Sequence, residues 1–307
     1  MAEGSQRRYA IISPVRDEAA FIAMTLESVV AQTEPPAIWL IVDDGSTDET
    51  ASIVKRFAQS APYIELLSLT DNNRGYDKDR LRWAAEAIAF NAGLRELEVE
   101  QFDFIVKLDG DLAFGPDYFA SLLDEFERDE KLGIAGGEFF FVDERGVKML
   151  EWNPENHVRG ATKIYRRACF GDIGCIEPVY AWDTLDELRA QMAGWSTRSF
   201  PYPVQHLRPT SSRSGQLRGI ARGGLGAYLL GYHPAFVLAR GAREAMTRPY
   251  LLGGIAFLWG FTVASIKRPP RVADSETIGF LRRQQMERLR SLGDMAEIRA
   301  MLGGQGR

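Results

Sequence analysis

Four apolar runs, each separated from the next by a helix signal, leave the first half of this chain few folds to choose from. The stretch "YAIISPVRDEA" opens with an apolar run, Tyr9 to Ile12, that Pro14 is expected to end, and "DEAAFIAMTLESVVAQT" then spaces its apolar residues as a helix does. The order repeats at once. A strand from Ile38 to Val42 leads into a turn at Asp44-Gly45-Ser46, then a helix from about Asp48 to Gln59 with Thr47 or Asp48 as its cap. A third strand lies in "YIELLSLT", a helical stretch runs from about Asp79 to Leu97, and "FDFIVKLD" is the fourth strand. Strands joined through helices run parallel, so the chain is expected to build an α/β sheet covered by helices. Ligands of such open sheets bind at the carboxyl ends of the strands, and Asp17, Asp44 and Asp109 all fall there.

Two carboxylate pairs stand out at those ends. In "IWLIVDDGSTDET", Asp43 and Asp44 close the most apolar strand, an arrangement that is costly unless a cation or a hydrogen-bond donor faces it. In "VKLDGDLAF", Asp109 and Asp111 are two apart just past a buried strand. Carboxylates at this spacing can share one divalent cation, or divide between a metal and a ligand hydroxyl, and oxygen ligands suit Mg²⁺ or Mn²⁺. Asp-Gly-Asp is also ordinary turn chemistry.

Beyond Gly133 the pattern becomes mixed, with short strands at "LGIAGGEFFF" and "TKIYRR", a helix at "TLDELRAQMAGW" and a strand near "STRSFPYPVQH". A hydrophobic content of 45% with 26% charged residues argues against disorder. The two cysteines, Cys169 and Cys175, match neither a redox pair nor a zinc site, and two reduced, packed thiols in a cytosolic protein are expected. The N-terminus lacks the apolar core of a signal peptide, so the catalytic part is expected in the cytoplasm. A dinucleotide oxidoreductase is disfavoured because no G-x-G-x-x-G follows a strand; a nucleotidyltransferase, which also uses a strand-end Asp pair and a metal, is the runner-up among enzymes, although "SPVRDEAAF" contains no glycine for a phosphate loop.

Taken in order, four landmarks make the chain resemble a family 2 glycosyltransferase, the inverting type with a GT-A fold. The likeness runs from about Tyr9 to His206: "SPVRDE" resembles the family's first turn, "VDDGSTDET" its most recognisable sequence, "LDGD" its metal-binding D-x-D, and "WDTLDELRAQMAGW" its E-D-x-D-L-x-x-R-x-x-x-x-G-W element. The resemblance implies a nucleotide-diphosphate sugar donor, favouring UDP or dTDP, and a glycan or lipid-linked acceptor. It implies Asp183 as the general base, which as a residue type also suits a helix cap. It further implies Asp111 and His206 as ligands of Mn²⁺ or Mg²⁺, Asp109 at the ribose or donor sugar, and Asp44 at the nucleobase. Pro14, Arg16 and Glu18 would face the base and ribose, while Asp43 orients the loop. Two departures stand against the pattern. "AFNAG", residues 89–93, has Phe90 where the family has an arginine, which leaves Lys78, Arg80 and Arg82 as candidates for the diphosphate, and Trp182 replaces the glutamate before the base. A catalytically silent glycan-binding domain of the same fold is the alternative of another class.

Residues 1–206 are thus expected to form the catalytic domain, with a nucleotide-binding half over about 9–112 and an acceptor half over about 113–206. A basic, apolar helical region, 207–307, follows. Net charge is −5, yet from Leu207 to Arg290 fourteen Lys or Arg residues face only four acidic ones. Apolar runs interleaved with arginine point to an anionic phospholipid surface and not to nucleic acid. The run Tyr250 to Ile266, seventeen residues, reaches the lower limit for a hydrocarbon core of about 30 Å. Its three glycines, and His233-Pro234 in the preceding run, suit instead a pair that packs on itself or lies in the interface, peripheral at the cytoplasmic leaflet.

Overall fold

The computed structural model describes residues 7–69, 84–151, 153–154, 156–208 and 215–291. Lys78, Arg80 and Arg82 lie outside the described residues. The chain divides into two compact units, Met1–Thr210 and Ser211–Arg307.

In the first unit, Tyr9–Val15 forms β1, Ile22–Val30 α1, Ile38–Asp43 β2, Thr50–Ala58 α2 and Ile64–Ser68 β3. Ala85–Leu94 forms α3 and Phe104–Leu108 β4, and the four strands lie parallel in the order β3-β2-β1-β4. Alternate residues of each strand enter two cores. Tyr9, Ile11, Trp39, Ile41 and Val106 pack with Ile22, Leu26 and Val29 of α1, while Ala10, Ile12, Leu40, Val42 and Ile105 pack with Phe90 and Leu94 of α3. Burial on both faces is why these strands read as unbroken apolar runs.

Pro14 does not end β1, contrary to the sequence expectation. Val15 accepts the Asp44 N–H toward β2, so Pro14, one residue earlier, faces the β4 side, where pairing already stops at Ile12. Its missing N–H therefore costs no ladder bond.

The remainder of this unit continues with Leu112–Phe114 (β5), Tyr118–Arg128 (α4), Leu132–Val142 (β6), Lys148–Leu150 (β7), Thr162–Arg166 (β8), Arg167–Asp172 (α5), Trp182–Met192 (α6) and Ser196–His206 (β9). The sheet order is β3-β2-β1-β4-β8-β6-β9-β5, with β7 paired to β6. β8 is antiparallel to both β4 and β6, whereas β6 and β9 run parallel and β5 returns antiparallel to β9. Both cysteines are free; Cys169 is buried, which pushes its thiol up to about 12.

The "AFNAG" element turns out to be packing. Phe90 is fully buried against Phe170, and a Cβ on Gly93 would lie 2.6 Å from Val42 Cγ2 and 3.0 Å from Ile12 Cγ2. Glycine lets α3 sit directly on β1 and β2. Asn91 ties the same helix to the Ile176 carbonyl at 2.7 Å.

The second unit is helical: Gln216–Leu229 (α7), Pro234–Met246 (α8), Leu251–Lys267 (α9) and Ser275–Ser291 (α10). The break at His233-Pro234 is a helix start, with His233 Nδ1 accepting the Ala235 N–H at 3.2 Å and proline in the first turn. Helix α9 meets α7 backbone to backbone, since a Cβ on Gly260 would lie 1.9 Å from the Ala221 carbonyl oxygen. Among the described residues no helix is long and apolar enough to cross a membrane.

Gly93→Ala should lower the stability of the first unit by about 1–3 kcal/mol, the usual cost of overpacking. Urea denaturation measures it, and an unchanged midpoint would mean that α3 can lift from the sheet without loss.

Candidate active site

The turns after β1 and β2 are stitched together by the serine, threonine and aspartate side chains of "DDGSTDET". Asp43 Oδ1 accepts the Ser46 N–H at 2.8 Å, which closes its own turn. Ser46 Oγ accepts the Asp17 N–H at 3.0 Å, Asp17 Oδ1 accepts the Thr47 N–H at 2.8 Å, and Thr50 Oγ1 accepts the Glu18 N–H at 2.8 Å. Asp48 accepts N–H bonds from both Ala19 and Thr50. These bonds hold Asp17 at φ 52°, a left-handed conformation that aspartate tolerates. Glu18 and Asp44 are thereby fixed as buried carboxylates at the strand ends. Arg16, just past β1, has Nε 3.8 Å from Asp17 Oδ2.

The Asp109-Gly110-Asp111 turn follows β4. Asp109 donates its N–H to Ala161 O at 2.8 Å, and its carboxylate takes a hydrogen bond from Lys107 Nζ. Lys107 is only 1% exposed; its Nζ lies 3.8 Å from Glu86 Oε2 and 5.4 Å from the Trp182 ring centre. Burial, opposed by Lys107 and reinforced by Glu86 and Asp111, pushes the Asp109 acid up to about 7. Asp111 points to a different partner: its Oδ2 is 2.6 Å from Arg208 Nη2, which also lies 3.0 Å from Glu18 Oε1.

Asp183 stands in the first turn of α6 and does not cap it. The cap position is Ala181, in a left-handed conformation at φ 60°, without a side-chain bond. Lys163, fully buried on β8, donates to the Asp183 carbonyl and lies 2.8 Å from Asp186 Oδ1 and 3.0 Å from Glu187 Oε1. Burial works against its ammonium, but the three acids of this helix turn outweigh it and raise its pKa. Trp182 fills the place of the expected glutamate: its ring lies 5.4 Å from Lys107 Nζ and 5.7 Å from Lys163 Nζ, and its Nε1–H donates to Glu86 Oε1 at 2.8 Å. A Cβ on Gly160, next to the Ala161 that holds Asp109, would lie 3.1 Å from Asp183 Cβ. The half-buried Asp183 and the Asp109 turn are therefore neighbours.

His206 ends β9, paired in register with Leu112 just after Asp111, and Leu207 N–H donates to Asp111 O at 2.9 Å. Its Nδ1 lies 3.3 Å from Glu151 Oε2, itself 2.7 Å from Arg159 Nη1. A carboxylate on Nδ1 sets the tautomer and orientation of an imidazole, as is common for metal ligands. Among the described residues no three His, Cys, Asp or Glu side chains form a group able to hold a metal. Asp111 and His206, on adjoining strand ends, are the oxygen and nitrogen donors that would be offered there to an ion of the Mg²⁺ or Mn²⁺ class, which binds through few carboxylates.

The family model described as glycosyl transferase family 2 matches residues 10–182, more than half of the chain. The chain belongs to glycosyl transferase family 2. The match stops one residue before Asp183. Poly-beta-1,6-N-acetyl-D-glucosamine synthase of Staphylococcus epidermidis is 22% identical to this transferase over 209 residues, 62% of this chain and 45% of the relative. The chain thus spans about half the length of the curated relatives it matches. Among solved structures, the mannosyltransferase PcManGT from Pyrobaculum calidifontis, in complex with GDP-Man and Mn²⁺, aligns with a TM-score of 0.56 at 18% identity, covering 94% of this chain and 81% of that one. S. aureus TarS 1–349 in complex with UDP-GlcNAc gives 0.52 at 17%, covering 89% and 78%. At such identities the likeness establishes the fold, which is GT-A.

Pro14, Arg16, Glu18, Asp44, Asp109, Asp111, Asp183 and His206 all lie at strand or helix ends bordering these turns. Sequence reasoning missed Lys107, Glu86, Lys163, Glu151 and Arg208. A lysine inside the apolar run "FIVKLD" was a readable signal; its partner Glu86, on another element, was not.

Beneath the site, His157 Nδ1 lies 2.8 Å from Glu187 Oε2. Burial alone would lower the pKa of this ring, but Glu187 outweighs burial and raises it above the ordinary 6.5. A raised folded-state pKa contributes stability that is complete below pH 6.5 and lost as pH climbs through the raised value. His157→Gln should therefore flatten the decline of stability as pH rises above 6.5. Urea midpoints across that range check it, and equal slopes in the two proteins would rule out the charged pair.

Proposed function

We propose that this transferase moves a sugar from a nucleoside-diphosphate donor, of UDP or dTDP type, to a glycan or lipid-linked acceptor with inversion at the anomeric carbon. One observation carries the reading: the Asp109–Asp111 turn is tied through Lys107 and Trp182 to the helix turn bearing Asp183, and through Arg208 to Glu18 beside the Asp44 turn. A donor-handling pair and a candidate base are thus built into one strand-end cluster. TarS has been solved with UDP-GlcNAc and PcManGT with GDP-Man and Mn²⁺, which supports a nucleoside-diphosphate sugar as the donor class without choosing its base.

Asp44 accepts the imide N–H of a uracil or thymine, with Pro14, Arg16 and Glu18 along the base and ribose, and Asp109 contacts the ribose or donor sugar. Asp111 and His206 would hold Mn²⁺ or Mg²⁺. An ion bound there supplies positive charge to offset the negative charge of the departing diphosphate. Asp183 removes the acceptor hydroxyl proton as that oxygen approaches from the face opposite the diphosphate, and a single displacement inverts the configuration. Lys163, by holding the carbonyl of Asp183, keeps the base on a fixed helix turn.

Attachment to an anionic phospholipid surface is the second part of the reading, and α9 is its basis. Leu251, Leu252, Ile255, Trp259 and Ile266 are 56–75% exposed and recur at helical spacing, while Gly253, Gly254, Phe257 and Ala264 on the opposite side are buried. Arg248, Lys267 and Arg268 flank this apolar face. Cations at both ends of an exposed apolar stripe match an interface of acyl chains and anionic headgroups. Arg240 and Arg243 of α8 lie 3.9 and 3.1 Å from Glu244, and Arg240 also covers Phe257.

Asp183→Asn should cost roughly 10²–10⁴-fold in transfer, the range for a general base, with UDP binding in the presence of Mn²⁺ preserved. Asp111→Ala should lose both. Calorimetry with UDP and Mn²⁺ decides it, because equal loss of binding in the two variants would end the division of roles. For the membrane, the protein should float with anionic vesicles at low salt and be released at high salt, since screening weakens headgroup attraction. Ile255→Glu with Trp259→Glu should abolish flotation; wild-type protein that stays behind at low salt would refute attachment.

A further inference from the structure

Arg208 is the one guanidinium seen bridging the turn after β1 and the Asp109–Asp111 turn among the described residues. Its Nη2 lies 2.6 Å from Asp111 Oδ2 and 3.0 and 3.2 Å from the two oxygens of Glu18. The guanidinium is also 5.3 Å from the Phe21 ring centre. All three polar contacts use one nitrogen. Nε and Nη1 donate to no described residue, so most of the fork remains for another acceptor. Side-chain exposures of 22% for Arg208, 9% for Asp111 and 11% for Glu18 make this a nearly closed cluster in which one guanidinium faces two carboxylates.

The cluster raises a conflict of charge. Asp111 is the carboxylate assigned above to a divalent ion, and an arginine at 2.6 Å already neutralises it. A diphosphate bound beside that ion carries more negative charge than the ion offsets, and the cations the sequence offers for it, Lys78, Arg80 and Arg82, lie outside the described residues. Lys107 and Lys163 do not supply the missing charge, because they are 1% and 0% exposed and held by Asp109 and by Asp186 with Glu187.

Resting on the donor-site reading, we propose that Arg208 is a displaceable cation. It neutralises Asp111 and Glu18 before the divalent ion arrives, yields Asp111 to that ion, and turns its free N–H groups to the diphosphate while Glu18 steadies the guanidinium. One residue would thus both suppress metal binding without nucleotide and strengthen nucleotide binding once metal is present. Metal and donor would then load together. Arginine suits the exchange, since its planar fork pairs equally well with a carboxylate or a phosphate.

The test uses Mn²⁺ alone and Mn²⁺ with UDP, on the full chain, following free Mn²⁺ by electron paramagnetic resonance and UDP by calorimetry. Arg208→Gln should bind Mn²⁺ without nucleotide roughly five-fold or more tightly than wild type, the scale of a coupling between two ligands at one site. In saturating Mn²⁺ it should bind UDP roughly tenfold or more weakly, as expected for lost charged hydrogen bonds. Arg208→Lys keeps the charge, so its Mn²⁺ affinity should stay near wild type while UDP binding falls part of the way. Unchanged Mn²⁺ affinity in Arg208→Gln, with normal Mn²⁺-dependent UDP binding by wild type, overturns this proposal alone. Tighter binding of both Mn²⁺ and UDP overturns the diphosphate role and leaves Arg208 a mere obstruction. If wild type binds no Mn²⁺ even with UDP, the donor-site reading falls and the proposal with it.

Discussion

Two lysines buried under one tryptophan hold this site together. Lys107 and Lys163 come from neighbouring antiparallel strands, directly opposite in the β4–β8 register, and Trp182 lies within cation–π reach of both. Removing an ammonium from water costs several kcal/mol even after relaxation, about the order recovered only when acids complete the pair. Those acids come from elsewhere in the fold: Glu86 from α3, Asp109 from the turn after β4, Asp186 and Glu187 from α6. The helices are therefore fixed not only by apolar packing but by a charge requirement at the sheet's ligand edge. Removing one partner of such a pair leaves an uncompensated charge at a cost of roughly 3–5 kcal/mol, so the arrangement resists piecemeal change.

Trp182 also explains how the chain departs from the family pattern without losing the local geometry. A glutamate at 182 would have brought its own charge beside Asp183. Here the position carries an aromatic ring, and a carboxylate reaches the same region from Glu86, whose oxygens contact both the indole N–H and the Lys107 ammonium. The exchange is one of source, not of chemistry.

How much of this was legible depended on distance along the chain. The parallel half was readable because strands buried on both faces are written as apolar runs, and because Asp-Gly and Ser-Thr punctuation marks their ends. Pro14 misled, since an argument from a missing N–H needs to know which side of the strand has a neighbour. Phe90 read as a lost arginine when it is a core residue, as only the packing of α3 on Phe170 reveals. Arg208 was hidden differently: it sits where composition changes, so its charge was counted with the basic C-terminal segment, whereas its partners Glu18 and Asp111 are 190 and 97 residues away. The order of the GT-A landmarks is a local signal, and the ion pairs that tune them are not.

The stitching of the first two turns bears on how donor preference can change. Asp17, Glu18 and Ala19 of one turn are bonded to Ser46, Thr47, Asp48 and Thr50 of the other, so the two walls of the proposed nucleoside pocket are tied into one piece. A substitution that widens the pocket from one side pulls the opposite wall with it. If these turns hold the nucleobase as proposed, drift from one base to another becomes a problem of concerted replacement: single changes spoil the old pocket before they create a new one, and a successful switch must rewrite both turns together.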